Sequence, residues 1–200
     1  MVAQRKPWHM SVDEWRELER ANPESKYEYI DGQVSLMSGG SLAHARISSN
    51  TVRALEDALE SQPCYVYNSD ASVRLSETRY TYPDASVSCD SGDQPTTERM
   101  QVQAPRVVIE VLSDSTEGKD RIRKAHLYRA CHTIQEYVLI TTRYQAVEVQ
   151  RRAGDAWTLH LFGVGDEIEL VSIGVQFPLA VLYRGTTVPE MPNDQDEPHV

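Results

Sequence analysis

Cysteine is scarce in this 200-residue chain: Cys64, Cys89 and Cys131 are the three present, far apart and odd in number. No CxxC pair or Cys/His metal spacing occurs, which excludes a zinc ribbon and a disulfide-dense scaffold. The simplest expectation is three reduced, buried thiols in a cytoplasmic protein. Long apolar runs are also missing; none approaches the roughly 20 residues of a membrane span. The first ten residues hold Arg5, Lys6 and His9 without an apolar stretch, so no secretory signal is expected. Basic residues are outnumbered, 20 against 30 acidic, for a net charge of −10. The chain as a whole should repel nucleic acid, and any phosphate-binding role must rest on a local basic patch. P-loop, GxGxxG, zinc-type and Ser/His/Asp patterns are all absent.

What is present fits an ordinary globular domain. Hydrophobic residues are 40% and charged residues 25%, enough for a core and close to average usage. Residues 11–185 show no repeat and no break in composition, and read as one domain. Residues 186–200 carry Pro189, Pro192 and Pro198 among Glu190, Asp194, Asp196 and Glu197, the composition of a disordered acidic tail.

Ser11 and Glu14 have capping-box spacing and should open a helix over 11–21. Asp31-Gly32 separates the alternating runs 27–30 and 33–37, a hairpin signal. Ser41 can cap a helix to about 61, with Ile47, Ala54, Leu55, Ala58 and Leu59 at helical spacing. Strands are expected over 64–75, 85–89, 105–112, 135–142, 146–151 and 156–161. A loop should cover 90–104, a helix capped by Thr116 should run to about 132, and an apolar turn over 178–183 should close the domain. The order predicts an α/β protein, a mixed sheet with helices on both faces.

Five residues break their local pattern. Glu110 interrupts the aliphatic run Val107–Leu112, where an ionised carboxylate is costly unless paired or bound to a cation. Asp84 follows Tyr82-Pro83 at a strand head, as a turn residue or as a ligand. Lys124 shares a helix face with Leu127, Tyr128 and Cys131, so it either snorkels, pairs with Asp120, or meets a carboxylate inside. Glu28 stands between Tyr27 and Tyr29, and His44 lies one turn before Ile47. Two carboxylates and a backbone carbonyl would form a hard-oxygen site for Mg²⁺ or Mn²⁺, with a lysine to stabilise charge on a phosphoryl group.

The series Tyr27-Glu28-Tyr29-Ile30-Asp31-Gly32, Gly39-Gly40-Ser41-Leu42-Ala43-His44, Tyr82-Pro83-Asp84, Val108-Ile109-Glu110-Val111-Leu112-Ser113, Asp120-Arg121-Ile122-Arg123-Lys124 and Gln135-Glu136-Tyr137-Val138-Leu139 occurs in one order. It resembles the Uma-two family of bacterial candidate restriction endonucleases, within the PD-(D/E)XK nuclease superfamily. The resemblance runs from about residue 11 to 183. It implies a restriction-endonuclease-like mixed β-sheet core flanked by helices. It also implies a Mg²⁺-dependent endonuclease acting on nucleic acid, DNA in the first place. Asp84 matches the Asp of the PD motif and Glu110 the acidic residue of the second motif. The Val111 carbonyl would complete the metal shell. Leu112 stands where the motif lysine would be, and Lys124 matches a lysine moved to the next helix. Glu28 resembles an extra acidic residue from the first core element, and His44 would line the cleft. A basic helix bearing Lys119, Arg121, Arg123, Lys124 and Arg129 would offset the acidic charge, and cutting both strands would call for a homodimer. The alternatives are an inactive nuclease-fold protein serving as a binding module and a phosphatase-like hydrolase of small phosphoesters.

Overall fold

The protein is described by a computed structural model over residues 9–37, 39–112 and 119–191. In chain order the elements are α1 (Val12–Ala21), β1 (Tyr27–Ile30), β2 (Gln33–Leu36), α2 (Leu42–Leu59), β3 (Tyr65–Asn68), β4 (Ser72–Ser76), β5 (Arg79–Thr81), β6 (Ala85–Ser88), β7 (Gln101–Val102), β8 (Val107–Leu112), α3 (Lys119–Ala130), β9 (Glu136–Thr141), β10 (Val147–Ala153), β11 (Ala156–Phe162), β12 (Glu167–Leu170) and β13 (Val175–Pro178). They build a six-stranded sheet ordered β11-β10-β9-β8-β6-β3, a five-stranded sheet ordered β2-β1-β5-β4-β7, and the β12-β13 ribbon. In the larger sheet β8 and β9 are parallel, joined across α3, and the other pairs are antiparallel. The architecture is a mixed α/β one.

β8 shows why the sequence reads as it does. All six of its residues are buried, because α2 covers one face and α3 the other. Alternation sends Val107, Ile109 and Val111 into the α2-side core with Ile47, Leu55 and Leu59. Val108 and Leu112 enter the α3-side core with Tyr128, Cys131 and Tyr137. Glu110, in step with Val108 and Leu112, therefore points toward α3.

The capping box of α1 forms as its spacing predicts, Ser11 N–H donating to Glu14 Oε2 at 2.7 Å. Its Trp15 is fully buried, stacked on Tyr80 with ring centroids 4.7 Å apart. The β1–β2 hairpin turns on Asp31 (φ 49°) and Gly32 (φ 89°), the left-handed pair that a two-residue turn requires. A β-carbon at Gly32 would also fall 1.9 Å from the His9 ring.

Several expectations are corrected. The strand over 64–75 is two strands, because Asn68 accepts from the Asp70 amide at 2.9 Å in an Asx turn. The turn sends β3 to one sheet and β4 to the other. β5, β7, β12 and β13 were not foreseen. The thiols are not all free: the Tyr65↔Ser88 register of β3 and β6 puts the flanking residues opposite each other, and Cys64 is bonded to Cys89. Cys131 is free and buried. The packed unit also extends past residue 185. Val188 is buried in the α2-side core, and the Gln145 amide donates to the Pro189 carbonyl at 2.8 Å. The rest of the expected tail, 192–200, lies outside the described residues, as does the Thr116 cap. No helix among the described residues is long and apolar enough to cross a membrane.

Candidate active site

The chain crosses from the five-stranded to the six-stranded sheet between β5 and β6, and Asp84 sits at that crossing. Pro83 ahead of it cannot donate to a ladder, which ends the pairing there. β6 and β8 pair with Ala85 opposite Ile109; one step outward in the same register, Asp84 is level with Glu110. Asp84 Oδ2 accepts the Val111 amide at 2.7 Å and lies 3.3 Å from His44 Nε2. In an extended strand the N–H and C=O of one residue leave on the same side, so the Val111 carbonyl also faces Asp84. His44 reaches Asp84 from the first turn of α2, whose amide at His44 is capped by Ser41 Oγ. Gly40 makes room for it, since a β-carbon there would lie 2.5 Å from the imidazole. The bond to Asp84 raises the His44 pKa against the opposing pull of burial.

Glu110 lies deeper. Its Oε1 accepts from Tyr128 Oη at 2.6 Å and from Lys124 Nζ at 2.9 Å. Lys124 and Tyr128 stand four residues apart on α3, so one helix face delivers both donors. The same amine is 3.2 Å from Glu28 Oε1. Glu28 gets there because Tyr29, its neighbour on β1, packs on Trp15 and Tyr80 on the other face of the small sheet. The approach of Lys124 to Glu28 is an ion-pair contact off hydrogen-bond alignment. It leaves Glu28 Oε1 a buried acceptor without a hydrogen bond.

The electrostatics follow from this crowding. Burial pushes Glu110 up to about 7; Asp84 and Glu28 add to the rise, while Lys124 and the Tyr128 hydroxyl oppose it. Lys124 is held above the usual lysine range: burial opposes its charge, but Glu110 and Glu28 more than offset that. The two carboxylates thus favour the charged form of the amine.

Asp84, His44 and Ser48 line an open cleft of about 760 Å³ with Lys26, Asn68 and the Gly39-Gly40 segment. Glu28, Glu110 and Lys124 are not among its lining residues. The arrangement thus has two tiers: an aspartate facing the cleft and a buried carboxylate–lysine cluster, joined through the backbone at Glu110-Val111.

A model of the Uma2 family, described as "Putative restriction endonuclease", matches residues 12–181. The chain belongs to the Uma2 family. Two relatives in Synechocystis sp. (strain ATCC 27184 / PCC 6803 / Kazusa) carry the names "Uncharacterized protein slr1290" and "Uncharacterized protein sll1609". The first is 36% identical, covering 86% of this chain and 88% of its own. The second is 33% identical, covering 72% and 83%. A crystal structure described as a "putative nuclease belonging to DUF820" from Anabaena variabilis ATCC 29413 superposes with a TM-score of 0.68. It is 20% identical over 87% of this chain and 97% of that one, a likeness that shows the shared fold. The sheet core flanked by helices is the restriction-endonuclease-like fold.

The donor set here suits a hard divalent cation. Asp84, Glu110 and the Val111 carbonyl are oxygen donors of the kind Mg²⁺ takes, and Glu28 Oε1, paired with Lys124 but without a hydrogen bond, is a buried acceptor that a bound water would satisfy. Among the described residues no three His, Cys, Asp or Glu side chains converge tightly enough to hold an ion by themselves. An ion here would need the backbone carbonyl and water as well.

The basic helix is corrected in part. Lys124 points inward rather than to the surface, and Arg129 spends its guanidinium on Gln150 Oε1, at 3.0 and 2.7 Å. Arg123 is exposed; the side chains at 119–121 lie outside the described residues. Tyr128 was missed as a site residue, although its spacing from Lys124 was there to be read. Ser48, 3.5 Å from Asp84 Oδ1, left no signal beyond lying one turn after His44.

Proposed function

We propose that the protein is a Mg²⁺-dependent endonuclease that hydrolyses phosphodiester bonds of nucleic acid, with DNA as substrate and Mn²⁺ as a substitute ion. The observation that carries this reading is the convergence of Glu110, Glu28 and a charged Lys124 from three elements. They meet in the interior, beside a strand-head aspartate that opens on a cleft. Perturbed titratable groups packed beside a cleft favour a functional site.

Asp84, Glu110 and the Val111 carbonyl would hold the ion, which supplies Lewis acidity toward a phosphoryl oxygen and makes water nucleophilic at neutral pH. Lys124, held toward its charged form by Glu110 and Glu28, offers positive charge to the pentacoordinate phosphoryl group. Glu28 orients the amine and orders a water. His44 fixes the rotamer of Asp84, and Tyr128 fixes that of Glu110. Cutting both strands of a duplex takes two such sites, so the proposed working unit is a homodimer.

The test combines plasmid cleavage in Mg²⁺ and Mn²⁺ with thermal melting. Native protein should nick plasmid, and Mn²⁺ should raise its melting temperature. Asp84→Asn should abolish nicking, leave the metal-free melting temperature unchanged or raised, and lose most of the Mn²⁺ shift. A native protein that gains nothing from Mn²⁺ and cuts no nucleic acid overturns the proposal.

A further inference from the structure

The flank of α2 turned away from Asp84 carries a second concave surface. Arg46, Asn50 and Arg53 stand at helical spacing on the outer face of α2, and Arg184 rises opposite them from the C-terminal turn. They line a groove of about 540 Å³ with Phe177 and Val181 at its floor. The turn is fixed in place: Asn50 Nδ2 donates to the carbonyls of Leu182 and Arg184, each at 2.9 Å. The turn needs Gly185 for its φ of 74°, and the Arg46 side chain lies beside it, with Nε 3.9 Å from where a β-carbon would be, an ordinary van der Waals distance. All three arginines are exposed. The carboxylate in the groove is Asp57, which Arg53 Nε approaches at 3.7 Å. In a chain with a net charge of −10, three arginines against one carboxylate on a single concave face is a local reversal of sign.

The groove is continuous with the candidate active site. A shallower depression over the first turns of α2 shares Ala45 and Ser49 with the Asp84 cleft, and Arg46 and Gly185 with the arginine groove. One trough therefore runs from Asp84 and His44, across Ala45 and Ser49, to Arg46, Arg184 and Arg53. Its near end holds Asp84, the cleft-facing carboxylate of the proposed cation site, and its far end holds groups that pair with phosphate.

We propose that this trough binds the sugar-phosphate backbone of nucleic acid flanking the bond placed at Asp84, with Arg46, Arg53 and Arg184 as phosphate contacts. The proposal rests on the nuclease reading for the role of Asp84, but its own content is the path of the strand. Guanidinium groups match phosphate oxygens two at a time. The electrostatic part of binding is sequence-independent and salt-sensitive. An acidic chain that binds nucleic acid must concentrate its cations in such a strip.

The test is anisotropy of a labelled DNA duplex, measured over a range of salt with chelator present so that no cleavage intervenes. The charge reversal Arg46→Glu/Arg184→Glu should weaken binding by about tenfold or more and flatten the log–log salt slope by about 2. The neutral pair Arg46→Gln/Arg184→Gln should fall between native and reversal. Arg16→Glu/Arg20→Glu on α1, carrying the same charge change, should bind nearly as native. Equal losses in the groove and α1 variants, or no binding by the native protein, overturn the proposal. Binding that depends on the groove without hydrolysis of any substrate leaves the strand path standing and removes the nuclease reading instead.

Discussion

Glu110 and Glu136 are two buried carboxylates on adjacent parallel strands of one sheet, and their surroundings are opposite. Glu136, fully buried on β9, has four donors. Arg151 Nε at 2.8 Å and the Val171 amide at 3.2 Å reach Oε1; the Ser172 amide at 3.0 Å and hydroxyl at 2.6 Å reach Oε2. Glu110 has a tyrosine and a lysine on one oxygen, with Asp84 and Glu28 close enough to raise its pKa. A buried charge whose lone pairs are filled is a strut between elements. A buried charge crowded by like charges stores unfavourable electrostatic energy, which a proton or a cation relieves. The comparison shows why the first pins a turn in place while the second is the candidate for chemistry.

Exchanging each carboxylate for its neutral isostere breaks the comparison most directly. Glu110→Gln should cost about three powers of ten in cleavage, the scale of several kcal/mol of lost transition-state stabilisation. It should leave the metal-free melting temperature unchanged or higher. Glu136→Gln should do the reverse: about 3 kcal/mol lost in chemical denaturation, because Arg151 loses its buried partner, and unchanged activity per folded molecule. If both variants behaved alike, the distinction between strut and site would fail.

A smaller effect lies in pH. The folded-state pKa of Glu110, about 7, exceeds the ordinary value near 4.3 of an unfolded chain. Between these values the folded protein holds a proton that the unfolded one releases. Metal-free stability should therefore fall as pH rises through that window and level off above it. His44, also raised, adds in the same direction: its contribution is complete below the unfolded histidine pKa and disappears as pH passes the folded one. Glu110→Gln should remove most of the slope and leave the His44 part. Saturating Mn²⁺ should flatten the native slope, since a cation favours the ionised carboxylate. Denaturation midpoints collected across this range, with and without Mn²⁺, check both statements.

Sequence could mark Glu110 because its neighbours Val107–Leu112 are aliphatic, and Lys124 because its helix face is apolar. It gave no sign that Glu136, which opens the apolar strand Glu136–Thr141, would be buried as deeply as Glu110. The difference lies in who arrives to bond them: the donors to Glu136 come from Arg151, 15 residues later, and from Val171 and Ser172, 35 and 36 residues later. Local patterns were legible where one short segment settles the outcome, as in the Asp31-Gly32 turn and the Ser11 capping box. They failed where a choice between sheets decides it. The chain over 64–75 reads as strand at both ends, but Asn68-Ser69-Asp70 between them makes an Asx turn that splits it. Cys64 and Cys89 meet for the same reason, since only the pairing of β3 with β6 makes them neighbours.

The finest distinction concerns the donors themselves. Tyr128 is fully buried, and its hydroxyl donates to Glu110 at 2.6 Å while the ring packs on Tyr137, centroids 4.9 Å apart. Tyr128→Phe keeps the ring and removes one of the donors that hold Glu110 down. The loss in metal-free stability should be about 1 kcal/mol, the net value of one such bond. It is partly offset because a less supported Glu110 more readily takes a proton. Glu110 should then ionise at higher pH, so the acid limb of the cleavage profile should move upward and half-saturation by Mn²⁺ should require more ion at fixed pH. Cleavage well above that limb should stay near native, because the carboxylate is ionised there with or without the hydroxyl. A cleavage profile that does not move would reduce Tyr128 to packing. Glu110 would then owe its state to burial and neighbouring charge alone, and the count of donors would no longer explain why it differs from Glu136.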